Sequence, residues 1–287
     1  MTIVKLKAGL GNTMFQYALG RLLEKQYGIH DVAFDSFYIE NYRKKHELSS
    51  IDGLNTCCRY IKREEYPLLS QRLHPNTFPY RVSVFFDSHA HKDYYLEQGM
   101  EYVELSKIIR YHYLDGYWQS YKYVEPIREL LMDEFCPKKP LSEKTSGFID
   151  SISHENAVMV GIRLGNYENS GKYYVAGNNF LENAMKKMAS MVSNPIFIVF
   201  TNRVQECMER YTFPYPVIFR EKDDYVDDYE ELQIMRSCKH AIIASSTFHW
   251  WGAWLIDNPG KIVIHSDKWF INGWKIDINP PEWISLT

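Results

Sequence analysis

Beyond residue 156, short runs of β-branched and other apolar residues alternate with longer segments whose apolar positions recur at helical spacing. The runs predict strands over 157–163, 196–202, 217–220, 241–245 and 261–265, and the segments between them predict helices over 178–192, 204–211, 229–238 and 248–256. Strands that are apolar on both faces need helices on both sides of the sheet, and regular alternation with helices makes such a sheet parallel. The ligand end follows from this. Open parallel sheets bind ligands beyond the carboxyl ends of their strands, so the residues just after each strand are where chemistry is to be sought.

The N-terminus opens in the same way. A strand is expected over 2–6, a turn at Gly9-Leu10-Gly11-Asn12, a helix over 14–27 with Asn12 as its N-cap, and a second strand over 31–35. Residues 36–110 are aromatic and irregular, and Pro67, Pro75 and Pro79 are expected to break any long element there. A strand over 111–118 and a helix over 121–135, with Pro126 in its early turn, come next. Cys136-Pro137-Lys138-Lys139-Pro140 is the best linker, and divides the chain into lobes of residues 1–140 and 141–287.

Several classes are disfavoured at once. With 33 Lys and Arg against 36 Asp and Glu, the chain lacks the positive excess of a protein that grips nucleic acid through its phosphates. No run approaches the roughly 18 apolar residues of a transmembrane helix, and residues 1–20 lack the pattern of a signal peptide. Five cysteines without a CxxC suit a reducing interior. The expected setting is therefore cytoplasmic, with peripheral contact at the inner face of the membrane left open. Twenty-two Tyr, fifteen Phe and seven Trp exceed ordinary usage, and those within 36–110 are free to line a groove for a sugar.

Three segments carry candidate chemistry. The Gly9–Asn12 turn between strand and helix offers backbone N–H groups to a phosphate, and with Asp35 it imitates a dinucleotide fingerprint. Met14, however, stands where that fingerprint needs a small residue. Arg163 ends a strand expected to be central, where its planar fork matches phosphate oxygens or a structural carboxylate. Ser245-Ser246-Thr247 opens a helix, as ordinary capping or as an anion cradle. There is no DxD, GxSxG, HExxH or P-loop, and His89, His91 and Asp93 lack the company of a metal ligand set.

Together the segments are more specific than any one of them. Gly9-Leu10-Gly11-Asn12-Thr13-Met14-Phe15-Gln16-Tyr17-Ala18 resembles the GGLGNQMFQYA opening of the α-1,2-fucosyltransferases of glycosyltransferase family eleven. Gly161 to Tyr167 falls where that family carries HxRRGDY. The stretch from Cys238 through Ser245-Ser246-Thr247-Phe248-His249-Trp250-Trp251 to Trp254 is similar to its CKHNIIANSTFSWWGAWL block. Asp115-Gly116-Tyr117-Trp118-Gln119 and the ending Lys261-Ile262-Val263-Ile264 with Lys268-Trp269-Phe270 follow its pattern too.

The resemblance implies an α/β, GT-B-like enzyme of two Rossmann-like lobes facing a cleft, with the donor on the C-terminal lobe. It implies inverting transfer of fucose from GDP-β-L-fucose to the 2-hydroxyl of a galactose-type acceptor, a glycan or lipid-linked oligosaccharide of surface polysaccharide synthesis. It also implies that no cofactor or metal is required. Arg163 would hold the β-phosphate, Ser246, Thr247 and their helix start the remaining oxygens, and Glu231 the guanine. Gly9, Gly11 and Asn12 would close over the fucose and pyrophosphate. Asp35 is a candidate base, with a structural role equally open, while Asn166 could orient a hydroxyl without taking its proton.

The sequence also departs from the pattern. The family His falls at Gly161, its second Arg at Leu164 and the Asp of RGDY at Asn166; SDD reads Thr201-Asn202-Arg203, and the Ser before the paired Trp is His249. A different GDP-deoxysugar donor, a non-catalytic nucleotide- or glycan-binding module and a dinucleotide-dependent oxidoreductase remain as alternatives.

Overall fold

The computed structural model describes residues 1–43, 51–75, 77–165, 171, 173–220 and 228–287, so Asn166 lies outside the described residues. Two α/β units are present: Met1–Cys136 with Lys275–Asn279, and Pro137–Trp274 with Pro280–Thr287. The division thus falls just before Pro137 and not after Pro140, and residues 275–279 belong with the first unit. The reason is local bonding: Tyr121 N–H donates to the Asp277 carbonyl, while Tyr102 N–H and the Lys122 ammonium donate to its carboxylate. A linker read from composition cannot register such a return.

In the first unit, β1 (Thr2–Lys5), β2 (Val32–Asp35), β3 (Tyr94–Leu96) and β4 (Tyr113–Asp115) form a parallel sheet in the order β2-β1-β4-β3. Phe34 extends it through a parallel bridge to Tyr60. The helix Leu10–Gln26 lays Met14, Phe15, Ala18 and Leu22 into the core. Asn12 is not its N-cap. Gly9 occupies that place, and its carbonyl accepts from Asn12 N–H and Thr13 N–H, which draws Asn12 into the first turn. Pro79 does not break the aromatic segment either; it sits in the first turn of the helix Phe78–Ala90, where its missing N–H has no intrahelical duty. Pro126 does interrupt, inserting a 3-10 turn, Glu125–Ile127, between the helices Tyr121–Val124 and Arg128–Glu134.

The second unit holds six parallel strands, β5 (Asn156–Ile162), β6 (Pro195–Thr201), β7 (Val217–Arg220), β8 (His240–Ile243), β9 (Val263–Ser266) and β10 (Ile284–Leu286). Their order, β10-β9-β8-β5-β6-β7, winds outward in both directions from the β5/β8 pair. The direction of winding reverses between those two strands, which makes their carboxyl ends the ligand-binding crevice of a doubly wound sheet. Five of the six strands were legible as apolar runs; β10 is short, half exposed and on the edge, and carries no such signal. The unforeseen helix Glu143–Ile152 is fixed by Glu230, whose buried carboxylate accepts from Ser142 N–H and from the Ser142 and Thr145 hydroxyls.

Candidate active site

At the switch point, Arg163 directly follows β5 and is exposed. Across from it, the helix Thr247–Leu255 follows β8, with Ser246 in extended conformation as N-cap and its hydroxyl accepting from His249 N–H at 3.4 Å. The first intrahelical bond runs from Trp250 N–H to the Ser246 carbonyl, so the helix leaves the Thr247 and Phe248 N–H groups unused at its positive end. Ser245 is occupied otherwise, donating to the Tyr174 carbonyl.

Two of the departing residues meet here. A Cβ on Gly161 would lie 2.5 Å from His249 Cγ and 2.6 Å from its Nδ1, so the imidazole fills the space that a side chain at 161 would take. The ring is 4% exposed, and Nδ1 is sealed from solvent with no hydrogen-bond partner. Burial, and then the neighbouring Arg163 guanidinium, push its pKa down to about 3, so the ring is neutral at physiological pH.

A second departing pair shapes the turn that carries Arg163. Leu164 N–H donates to Asn202 Oδ1 at 3.0 Å, and Asn202 Nδ2 donates back to the Leu164 carbonyl at 3.2 Å. The amide clamps one peptide unit with both its functions, and a carboxylate could not return the second bond. Leu164 itself is buried in the core of the unit. Gly165 follows at φ +79°, a left-handed turn against the Arg203 guanidinium, where an added Cβ would lie 2.9 Å from Nε.

Glu231 lies buried in the first turn of the helix Asp228–Ser237. That helix packs on Thr247–Leu255 so closely that a Cβ on Gly252 would lie 2.8 Å from Met235 Cβ. The second unit therefore brings Arg163, Ser246 and Thr247 to adjoining strand ends, with Glu231 on the packed helix. Gly9, Gly11, Asn12 and Asp35 belong to the first unit.

There, too, the sheet's carboxyl end is specialised. Ala8 and Trp118, just beyond β1 and β4, hold φ values of +67° and +57°, conformations that cost L-residues about 1–3 kcal/mol each. Their segments are stitched together: Gln16 accepts from Lys7 N–H and donates to the Gly116 carbonyl, and Gln119 donates to Asn12. Asp115 receives the Lys5 and Lys7 ammoniums at 2.8 and 2.7 Å and the Tyr94 hydroxyl at 2.6 Å. Burial opposes its charge, but the two ammoniums prevail and hold the carboxyl well below the usual range. Glu97, just after β3, accepts from Tyr117 N–H at 2.6 Å and Trp118 N–H at 3.2 Å, and burial pushes its pKa up to about 6.

Asp35 is 1% exposed and accepts from Phe37 N–H, Gln71 Nε2 and the Tyr113 hydroxyl. It is a tie between strands and loops. Sequence reasoning missed Glu97, Lys7 and Asp115 because each gains its partners from distant strands; His249 could be found only as an oddity of pattern. Asp93, of the apparent His-x-His-x-Asp cluster, is taken by the Tyr66 hydroxyl and His112.

A doubly wound α/β unit with an arginine and a capped helix start at its switch point has the features of a protein that can bind an anionic ligand there. The model of Glycosyl transferase family 11 matches residues 1–287, and the chain belongs to that family. It is thus an enzyme, a glycosyltransferase. The O-antigen biosynthesis glycosyltransferase WbnK of Escherichia coli is 26% identical over 305 residues, covering 98% of this chain and 99% of its own. An alpha-1,2-colitosyltransferase of Escherichia coli is 25% identical over 300 residues, covering 100% and 99%. Among solved structures, the fucosyltransferase NodZ from Bradyrhizobium aligns with 90% of this chain and 96% of its own, at a TM-score of 0.45 and 15% identity. The family leaves the oxidoreductase alternative without support. No helix among the described residues is long and apolar enough to cross a membrane.

Proposed function

We propose that this glycosyltransferase moves L-fucose, with inversion, from GDP-β-L-fucose to the 2-hydroxyl of a galactose-type acceptor in a surface glycan. The observation that carries the reading is the placement of Arg163 opposite the Ser246-capped helix start at the β5/β8 switch point. In such a transfer the bond between the sugar C1 and the β-phosphate oxygen breaks and its electron pair stays on GDP. The acceptor oxygen bonds C1 from the opposite face and loses its proton to a base or to water. Charge on the departing diphosphate is greater in the transition state than in the bound donor, so fixed donors aimed at it speed the step without tightening ground-state binding equally. Arg163, Thr247 and the helix start supply those donors, and in this scheme they take the place of a divalent ion. Glu231 would accept from guanine N1–H and the 2-amino group, a pair that adenine lacks.

The names of the relatives support the linkage and leave the sugar open: one is named an alpha-1,2-colitosyltransferase. The acceptor is a galactose-containing glycan, and a lipid-linked form would bring the enzyme to the inner face of the membrane.

A donor panel tests the reading. GDP-fucose, GDP-colitose, GDP-mannose and UDP-galactose are each offered with lactose, and products are weighed by mass spectrometry. Transfer of a 6-deoxyhexose from a GDP donor is expected; transfer from the UDP donor alone overturns the guanine assignment. Arg163→Ala is expected to lower kcat about 10²–10³-fold, the scale of a deleted oxyanion donor. Turnover within a few-fold of the parent would remove Arg163 from the phosphate site.

A further inference from the structure

Gly161 and His249 differ from the resembled pattern at two positions 88 residues apart, yet they touch. Three observations bear on what the imidazole does. It occupies the room beside β5 that only a glycine at 161 leaves open, since any Cβ there would come within 2.5 Å of the ring's Cγ and 2.6 Å of its Nδ1. It is buried in the first turn of the helix that opens the anion-binding end of the crevice, beside the Arg163 guanidinium. Of its two nitrogens, Nδ1 is sealed without a partner.

A neutral imidazole carries one N–H, and the ring has a choice of nitrogen. Placing the proton on Nδ1 would bury an unmet donor, which is rarer and costlier in proteins than an unmet acceptor. The sealed nitrogen therefore keeps its lone pair and the proton resides on Nε2. That leaves an uncharged N–H donor on Nε2 of a residue in the first turn of the switch-point helix, near enough to Arg163 to feel its charge.

We propose that His249 is a donor-site residue, its Nε2–H binding a phosphate oxygen of the nucleotide diphosphate together with Arg163, from the space vacated at Gly161. This rests on the donor site placed above, and it adds a residue to that site which its assigned set did not include. The pairing also makes a specific demand. An imidazole can reach the crevice from position 161 or from position 249, but the two cannot be occupied together.

The test is a double-mutant cycle read by calorimetric binding of GDP, GMP and guanosine, with thermal melts to confirm folding. His249→Ser is expected to weaken GDP at least tenfold while changing guanosine less than twofold. His249→Phe, which keeps the ring volume, is expected to show the same loss, and His249→Gln, which restores an N–H, to recover part of it. Gly161→His alone is expected to lose both folding temperature and GDP affinity, and Gly161→His with His249→Ser to regain affinity to within a few-fold of the parent. Equal losses for GDP and guanosine in His249→Ser, or parental GDP affinity in His249→Phe, would show that the ring only fills space and would overturn the proposal. A parent protein that binds no GDP would overturn the donor reading itself. GDP binding that ignores His249 would sink this inference alone.

Discussion

Replacing Asp115 by asparagine keeps the volume and shape of the side chain and removes its charge, which isolates one quantity. In the parent, the carboxylate lies 2.8 Å from the Lys5 ammonium and 2.7 Å from that of Lys7, with side-chain exposures of 2%, 4% and 14%. Lys7 has an escape, because it is partly exposed and already rests 4.4 Å from the Tyr117 ring centroid. Lys5 has none. An ammonium left buried without its counter-charge costs about 3–5 kcal/mol, and no cavity term is added because the substitution is isosteric. At roughly 2–4 °C per kcal/mol, the melting temperature of the first unit should fall by roughly 6–20 °C. Urea unfolding at pH 7 is the assay, with the slope compared as well as the midpoint. The acid limb supplies a second check. A carboxyl held below its unfolded value stabilises fully above pH about 4 and loses that contribution as pH falls through the folded value, so the variant should lack this part of the parent's acid sensitivity. A cost under about 1 kcal/mol with unchanged slope would refute the buried-pair reasoning. Converting both partners, with Lys5→Met and Asp115→Leu together, should recover most of the loss, because nothing charged then remains to be compensated.

Other outcomes follow from the same geometry. Glu97 titrates at about 6 in the fold against 4.5 unfolded, so the folded state binds the proton more tightly; stability should decline by about 2 kcal/mol as pH rises from 4.5 through 6 and then level off, and Glu97→Gln should lack this slope in guanidinium titrations. Tyr113→Phe removes the 2.6 Å donor from buried Asp35 and should cost about 1–3 kcal/mol in the same assay. Asn202→Asp forfeits the bond to the Leu164 carbonyl and sets a negative charge against it. The turn carrying Arg163 should loosen, and the KM for the sugar donor should rise several-fold while global stability falls by only about 1 kcal/mol.

The second unit was legible because its strands are buried on both faces and so appear as unbroken apolar runs, such as 157–162 and 196–201. In the first unit β1, β2 and β4 fall within the expected strands 2–6, 31–35 and 111–118, but β3 was not legible. β3 is three residues long inside the aromatic segment, and its Tyr94 is buried by stacking on Tyr113, a side chain far off in sequence. The site divides in the same way. Arg163, Ser246 and Thr247 could be found because strand ends and helix starts are local signals. Glu97 and Asp115 could not, because their character is set by Lys5, Lys7 and backbone N–H groups contributed by other strands. Asp35 was visible as an acid at a strand end, but its commitment to Tyr113 and Gln71 was not.

The departures from the family pattern, read one at a time, suggest a site losing its parts. In three dimensions they fall into pairs. His249 fills the space at Gly161, and Asn202 clamps the peptide of Leu164, whose side chain is folded into the core. A pocket no longer used would be free to lose an imidazole or an amide without replacing it, and nothing would link a change on β5 to one on the helix after β8. Here the changes at Gly161 and Leu164 are each met by a residue on a neighbouring element that restores packing or a backbone bond. The buried imidazole is hard to account for by packing alone, since an apolar side chain at 249 would fill the gap at Gly161 without sealing an unpaired nitrogen. Its presence beside Arg163 favours a working donor site over a binding module in decay, and under the proposed reading the difference from the resembled pattern would fall at the diphosphate.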